Sequence, residues 1–312
     1  MTEKKNSMGG VLLLTLTAFI WGSAFVAQSS GMDHLGAFAF GSIRTLLGSF
    51  ALLVYILCEY VIKKAHSPYE GLTKYRETVK RSVIKGIPIG LVYFFATNFQ
   101  QYAFYFSTAG KIAFITAMYI LFVPVFGLFS GHRLGALKWT AVFLGIAGLY
   151  FLCIGDNGLG GVNRGDMLAL ACSVCFTFHI LLIDRCSDVT DGAVLSCTQF
   201  LVAGSLTFVL MLIFEGLPAL SDVILSAVPI AYAGIMSCAV AYTFQIIGQK
   251  SVEPSIASLI MSLESVFAVI SAAVILSQIP TAREAAGCVI MFSAILLAQS
   301  GDILRRKGNR IH

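Results

Sequence analysis

The sequence predicts an all-α integral membrane protein, with ten transmembrane helices arranged as two inverted five-helix repeats. Three observations predict it. Of 312 residues 57% are hydrophobic and 12% charged, and mean hydropathy is +0.85; a soluble globule of this size needs more polar surface. The apolar residues gather near 9–29, 36–62, 84–105, 110–130, 136–154, 165–184, 192–214, 227–249, 255–277 and 284–301, each about the 20 residues that cross a bilayer core. Finally, seventeen of the 21 Lys and Arg residues fall on one side of these stretches and three, Lys111, Arg164 and Arg283, on the other, with Arg44 inside a stretch. The positive-inside bias then places both termini in the cytoplasm of a multi-pass inner (plasma) membrane protein.

The first stretch follows Lys4 and Lys5 as a signal peptide would, but it runs from about Gly9 to Ala27 and more stretches follow, so it reads as a retained helix. Thr17, Trp21, Ala24 and Gln28 share one face of it. The second stretch carries Arg44 in a stripe of Gly41, Thr45 and Gly48, small residues that let helices approach closely. Between Lys63 and Lys85, Leu72, Tyr75 and Val79 recur at helical spacing with Glu70/Lys74 and Glu77/Arg81 four apart. That pattern predicts a short separate helix lying on the inner leaflet.

On the third stretch Asn98, Gln101 and Tyr105 stand at i, i+3, i+7, and Tyr242, Gln245 and Gln249 repeat that spacing on the eighth. Lys111, at the outer mouth of the fourth, reads as a solvated end residue. A glycine-rich turn from Gly155 to Gly165 divides the chain into residues 1–154, a linker at 155–164, and residues 165–312 with their basic tail. Five is odd, so the second half enters the membrane from the opposite side, as in an inverted repeat. Residues 133–148 fall over 279–294, each a short turn leading into a helix of small residues. His179 shares a face of the sixth stretch with Cys172, Cys175 and Ile183, and Asp166 and Asp184 mark its ends, where they cap or face water. Glu264 stands in the ninth among Ala257, Met261, Ala268 and Ser271.

The eight cysteines fall almost entirely within apolar runs and read as small buried hydrophobes. Cys172 and Cys175 form a C-x-x-C, but it has no second ligand pair and sits mid-span, so neither a metal site nor a cofactor is expected. The net charge of +5 resides in the short segments between stretches, which argues against a nucleic-acid partner and leaves the lipid bilayer and small molecules.

The order of several short motifs resembles the drug/metabolite transporter superfamily, with two EamA-type repeats covering nearly the whole chain. Those motifs are Trp21-Gly-Ser-Ala-Phe-Val26, Arg44 within residues 40–48, Ser107-Thr-Ala-Gly-Lys-Ile-Ala-Phe-Ile115, Pro124, and Leu263-Glu-Ser-Val-Phe267. The resemblance implies a secondary transporter of small organic metabolites working by alternating access, in many relatives an exporter. Two departures stand out. A glutamate frequent in the family before the fifth and tenth helices is replaced by His132 and Gln278, and the first stretch has no acidic residue, so coupling through a first-helix carboxylate cannot be carried over.

Depth counting at about 1.5 Å per residue puts Arg44 and Glu264 near the midplane, where a charge costs roughly 2.5–3.5 kcal/mol on insertion scales. They read as a structural ion pair or as substrate contacts, and protonation of a buried Glu264 would allow proton coupling. Trp21 reads as packing or as a wall for a flat substrate. His179 reads as packing or as a substrate contact. Gln101 and Tyr105 outside, and Gln245 and Gln249 inside, read as gates or as polar glue between helices, and Asn98 and Tyr242 on the same two faces are further candidate substrate contacts. A membrane-embedded enzyme acting on lipid or peptide, or an uptake permease of the same fold, is the alternative. An enzyme is disfavoured, because no H-E-x-x-H, no G-x-S-x-G and no pair of mid-span aspartates occurs.

Overall fold

Helices surrounded by lipid gain little by hiding leucine, so small and polar residues choose which side faces inward. The computed structural model, which describes residues 7–66, 69–127, 136–153, 162–186, 190–252, 260–261 and 263–308, follows that rule. Thr17, Ser42, Thr97, Gln101, Thr177 and Gln199 are buried, while Phe50, Leu57, Val61, Phe143, Ile213 and Val274 are exposed. Exposed apolar surface on this scale marks a membrane protein.

The described residues are mostly helical and contain no strand. In chain order they form α1 (Met8–Gly31), α2 (Ala37–His66), α3 (Tyr69–Ala103), α4 (Ala109–Thr116), α5 (Tyr119–Gly127), α6 (Ala136–Cys153), α7 (Arg164–Asp184), α8 (Gly192–Phe214), α9 (Leu220–Leu225), α10 (Ala227–Ala231), a π-helical segment (Tyr232–Ala241), α11 (Tyr242–Ser251), α12 (Glu264–Ile275) and α13 (Ala282–Gly308). Among the described residues six helical runs are long and apolar enough to cross a membrane: Met8–Gly31, Ala37–Lys64, Thr73–Ala103, Arg164–Ile183, Gly192–Phe214 and Ala227–Gln245. Shorter apolar helices occupy Ala109–Val123, Trp139–Phe151 and Glu264–Ile275, and the stretch at 284–301 lies within α13. Most of the glycine-rich turn, His132 and Ala257 lie outside the described residues.

Three stretches differ from their expected form. The inner-leaflet segment is no separate helix: α3 begins at Tyr69 and runs unbroken into the third stretch. Its first turns lie along the end of α2, where Tyr60 and Tyr75 rings stack at 6.3 Å, Lys63 Nζ sits 4.1 Å over the Tyr75 ring, and Arg76 donates to the Tyr60 hydroxyl at 2.9 Å. The fourth stretch is broken between α4 and α5 by tight i→i+3 bonds from Met118 N to Ile115 O and Ile120 N to Ala117 O. The eighth contains the ten-residue π segment.

The chain divides into two compact units. One comprises residues 27–101 and 178–243, the other 1–26, 102–177 and 244–312, so each draws on both sequence halves. In the first, α2 packs along α8; in the second, α6 packs along α13 and α4 against α12. In terms of stretches these pairs are second with seventh, fifth with tenth and fourth with ninth. Equivalent helices of the two halves therefore pack on one another.

Helix starts in each unit are capped by distant or local side chains, which satisfies orphan N–H groups of the first turns. Glu215 takes the N–H groups of Phe38 (3.0 Å) and Ala39 (2.8 Å) at the start of α2, and Asp191 caps α8. In the other unit Asn163 and Asp166 cap α7 reciprocally, Thr281 and Glu284 do the same at α13, and Gln278 Oε1 accepts the Ala109 N–H of α4 at 3.1 Å. Gln278, which departs from the family pattern, thus has a capping role of its own.

The small stripe on α2 serves close approach, as expected. A Cβ at Gly48 would stand 2.6 Å from Cys238 Cβ and 2.9 Å from Gly234 O, both on the π segment. Gly48→Leu is expected to destabilise the protein by about 1–3 kcal/mol or more through overpacking. A thermal unfolding midpoint equal to that of the unaltered protein would refute this packing.

Candidate functional site

In the α2–α8 unit, α2 turns Arg44 inward, where it is 3% exposed. Its neighbour Thr45 bonds back to Gly41 O at 2.7 Å and stays on the same buried side. The Cys238 thiol makes a hydrogen-bonding contact with the guanidinium, and Tyr93 is an electrostatic neighbour. Neither Nε nor Nη2 of Arg44 has a hydrogen-bond partner among the described residues. Tyr93 joins this group to the rest of the unit: its ring lies 5.4 Å from His179 and 5.3 Å from Phe200, and Phe200 meets Tyr242 edge-on at 5.2 Å.

Several other polar groups of this unit are tied to protein partners. His179, 3% exposed, shares a 2.8 Å hydrogen bond between Nε2 and Gln199 Oε1. Half-buried Asn98 donates to Phe94 O at 2.7 Å and to Thr207 Oγ1 at 2.8 Å, linking α3 to α8. Buried Gln101 donates to the Gln28 carbonyl at 3.1 Å. These are polar ties between helices, each satisfying groups that lipid would leave unpaired.

The α6–α13 unit holds Glu264 at the first turn of α12, 7% exposed, with the Tyr119 hydroxyl donating to Oε1 at 3.0 Å. Tyr119 stands directly after the break between α4 and α5, and Phe176 of α7 lies 6.4 Å from its ring. Thr116, on the other side of the break, is 3.9 Å from Cys172 Sγ. The α1 backbone reaches this place through Gly22, whose added Cβ would stand 2.9 Å from Ala268 N and 2.6 Å from Phe267 Cβ. Trp21, beside it, is half-buried on a face whose other unit members Thr17 and Ala24 are fully buried.

Two expectations are revised here. Tyr105 does not share a helical face with Gln101: α3 ends at Ala103, the chain closes in turns from Tyr105 N to Tyr102 O and Phe106 N to Ala103 O, and Tyr105 is 49% exposed in a cluster with Tyr102 and Phe106. Lys111 is not a solvated end residue. Its Nζ pairs with Asp166 Oδ2 at 2.9 Å, the two side chains being 11% and 3% exposed. Of the two alternatives for Asp166 the structure shows the cap: Asn163 N at 3.1 Å and Ser107 Oγ at 3.3 Å also donate to it. Gln245 is half-buried on α11, and the Gln249 side chain lies outside the described residues.

Sequence reasoning passed over Tyr119, Gln199, Thr207 and the Lys111–Asp166 pair. The pattern Asn163-x-x-Asp166 ahead of an apolar run was available as a capping signal, and Gln199 is a lone amide in a 23-residue apolar helix. Tyr119 gave no signal, because nothing local announces the helix break.

Comparison with known proteins bears on both halves. The model of the EamA-like transporter family matches residues 8–154 and again 163–299. An "uncharacterized transporter" of Archaeoglobus fulgidus is 26% identical over 289 residues, which is 91% of this chain and 83% of that protein. A solved crystal structure is similar with a TM-score of 0.61 at 18% identity, over 94% of this chain and 97% of that one, a likeness of fold.

Proposed function

The chain belongs to the EamA-like transporter family, and from that premise we propose that it is a secondary transporter of small organic metabolites, an exporter, working by alternating access. Ten crossings, with both termini in the cytoplasm and the second half inverted, suit this reading. Its support is the doubled family match, the seventeen-to-three split of basic residues, and the packing of second with seventh, fourth with ninth and fifth with tenth stretches. The plasma membrane is the proposed setting, with the basic segments on its cytoplasmic side.

One observation carries the functional reading: among otherwise apolar helices, Arg44 and Glu264 are held at 3% and 7% exposure. Charges inside membrane helices are retained where they serve a pathway. Both neighbourhoods contain irregular helix, the π segment beside Arg44 and the α4–α5 break beside Glu264, as occurs at transporter sites. In this reading Glu264 exchanges a proton and Arg44 contacts the substrate. Trp21 lines the path in the unit of Glu264, while Asn98, Gln101, His179 and Tyr242 tie and gate the helices in the unit of Arg44.

Purified protein in proteoliposomes, loaded with a panel of amino acids, organic acids and amphipathic amines, tests this directly. At least one compound is expected to move, faster or further under a pH gradient. Lack of movement of every compound, with and without the gradient, would contradict the proposal.

A further inference from the structure

Arginine keeps its charge inside proteins, and burying it without a counter-charge is strongly unfavourable. Arg44 is the one buried lysine or arginine among the described residues. Within its unit the ion pairs among the described residues are Lys63 with Glu59 and Arg81 with Glu77. The two nitrogens of Arg44 lacking an acceptor are Nε and Nη2. In a guanidinium these two share one edge, and their N–H bonds run parallel, the fork that takes two oxygens of one oxyanion.

The surroundings narrow the oxyanion. The π segment approaches α2 here so closely that a Cβ at Gly234 would stand 2.7 Å from Arg44 O, and π-helical turns recur at functional sites. Tyr93, 3% exposed, neighbours the guanidinium and carries Phe200 against its ring at 5.3 Å, so the surroundings of this edge are aromatic. A single buried cation balances a single negative charge, whereas a phosphate dianion calls for a second cation.

We propose that the unpartnered Nε–Nη2 edge of Arg44 binds the carboxylate of a small monoanionic organic compound. This rests on the transporter reading and names the class of its substrate.

The test uses the full chain in phosphatidylcholine nanodiscs. Its thermal unfolding is followed with acetate, butyrate, benzoate and phenylacetate, each against its own carboxamide. At least one acid is expected to raise the midpoint where its amide does not, and Arg44→Lys, which keeps the charge but loses the fork, to weaken that acid's apparent affinity about tenfold or more. Should Arg44→Lys not fold, protection of Arg44 from phenylglyoxal by the same acid, read by mass spectrometry on the unaltered chain, replaces it. Acids that act no better than their amides, or equally well on Arg44→Lys, overturn the proposal. Inorganic phosphate as effective as the best acid overturns the single-charge assignment. Loss of the acid effect on exchanging phosphatidylcholine for phosphatidylglycerol would assign the edge to a lipid headgroup instead. Binding is read here without transport. Acids that bind but do not move in proteoliposomes therefore sink the transporter reading alone, and amides carried as readily as acids sink this inference alone.

Discussion

Asp166→Ala is expected to lower the thermal unfolding midpoint by on the order of 10 °C, from a loss of about 3–5 kcal/mol. The substitution strands Lys111 Nζ, whose side chain is 11% exposed, near the start of α4, where the helix dipole already disfavours a positive charge. It also removes the acceptor for Asn163 N and Ser107 Oγ, so one half of the reciprocal cap of α7 goes with the ion pair. Replacing both charges, as Lys111→Met with Asp166→Leu, is expected to recover part of the loss, because a stranded charge is worse than an apolar pair. A double-mutant cycle on purified protein gives the coupling. Single variants as stable as the unaltered chain would show that the pair holds nothing together.

Glu264→Gln is expected to leave the fold intact while uncoupling transport. Glutamine keeps the shape of the side chain and an oxygen for the Tyr119 hydroxyl, which donates to Oε1 at 3.0 Å, but it cannot take up a proton. With one proton exchanged per substrate, a pH gradient of one unit sustains about tenfold accumulation, since one unit corresponds to about 1.4 kcal/mol. The unaltered protein is expected to reach that level in proteoliposomes. Glu264→Gln is expected to equilibrate the same substrate with no accumulation and a flat pH profile. Undiminished accumulation by a folded Glu264→Gln protein would remove Glu264 from the mechanism.

Much of this architecture was legible in the sequence because lipid makes its demands locally. Hydropathy marks stretches of spanning length, and the basic residues between them, above all at 63–85 and 305–310, orient the chain without any tertiary knowledge. Arg44 and Glu264 stood out for the same reason: a charge in an apolar run is conspicuous in one dimension. Their partners were not. Tyr119 reaches Glu264 across 145 residues and Asp166 reaches Lys111 across 55, distances that depend on which helices pair. Tyr105 was misplaced because spacing arithmetic assumes that a helix continues, and α3 stops two residues earlier. The inner-leaflet segment was misassigned for the opposite reason, since no glycine or proline between Glu77 and Lys85 interrupts the helix.

Epitope tags placed at each terminus and within residues 155–164, probed with antibody in right-side-out and inverted vesicles, test the inverted ten-crossing architecture most directly. Both terminal tags should be reached from the cytoplasmic face and the central tag from the opposite one. Terminal tags on opposite faces, or a central tag on the same face as the termini, would contradict an odd number of crossings in each half and with it the inversion on which the transport mechanism depends.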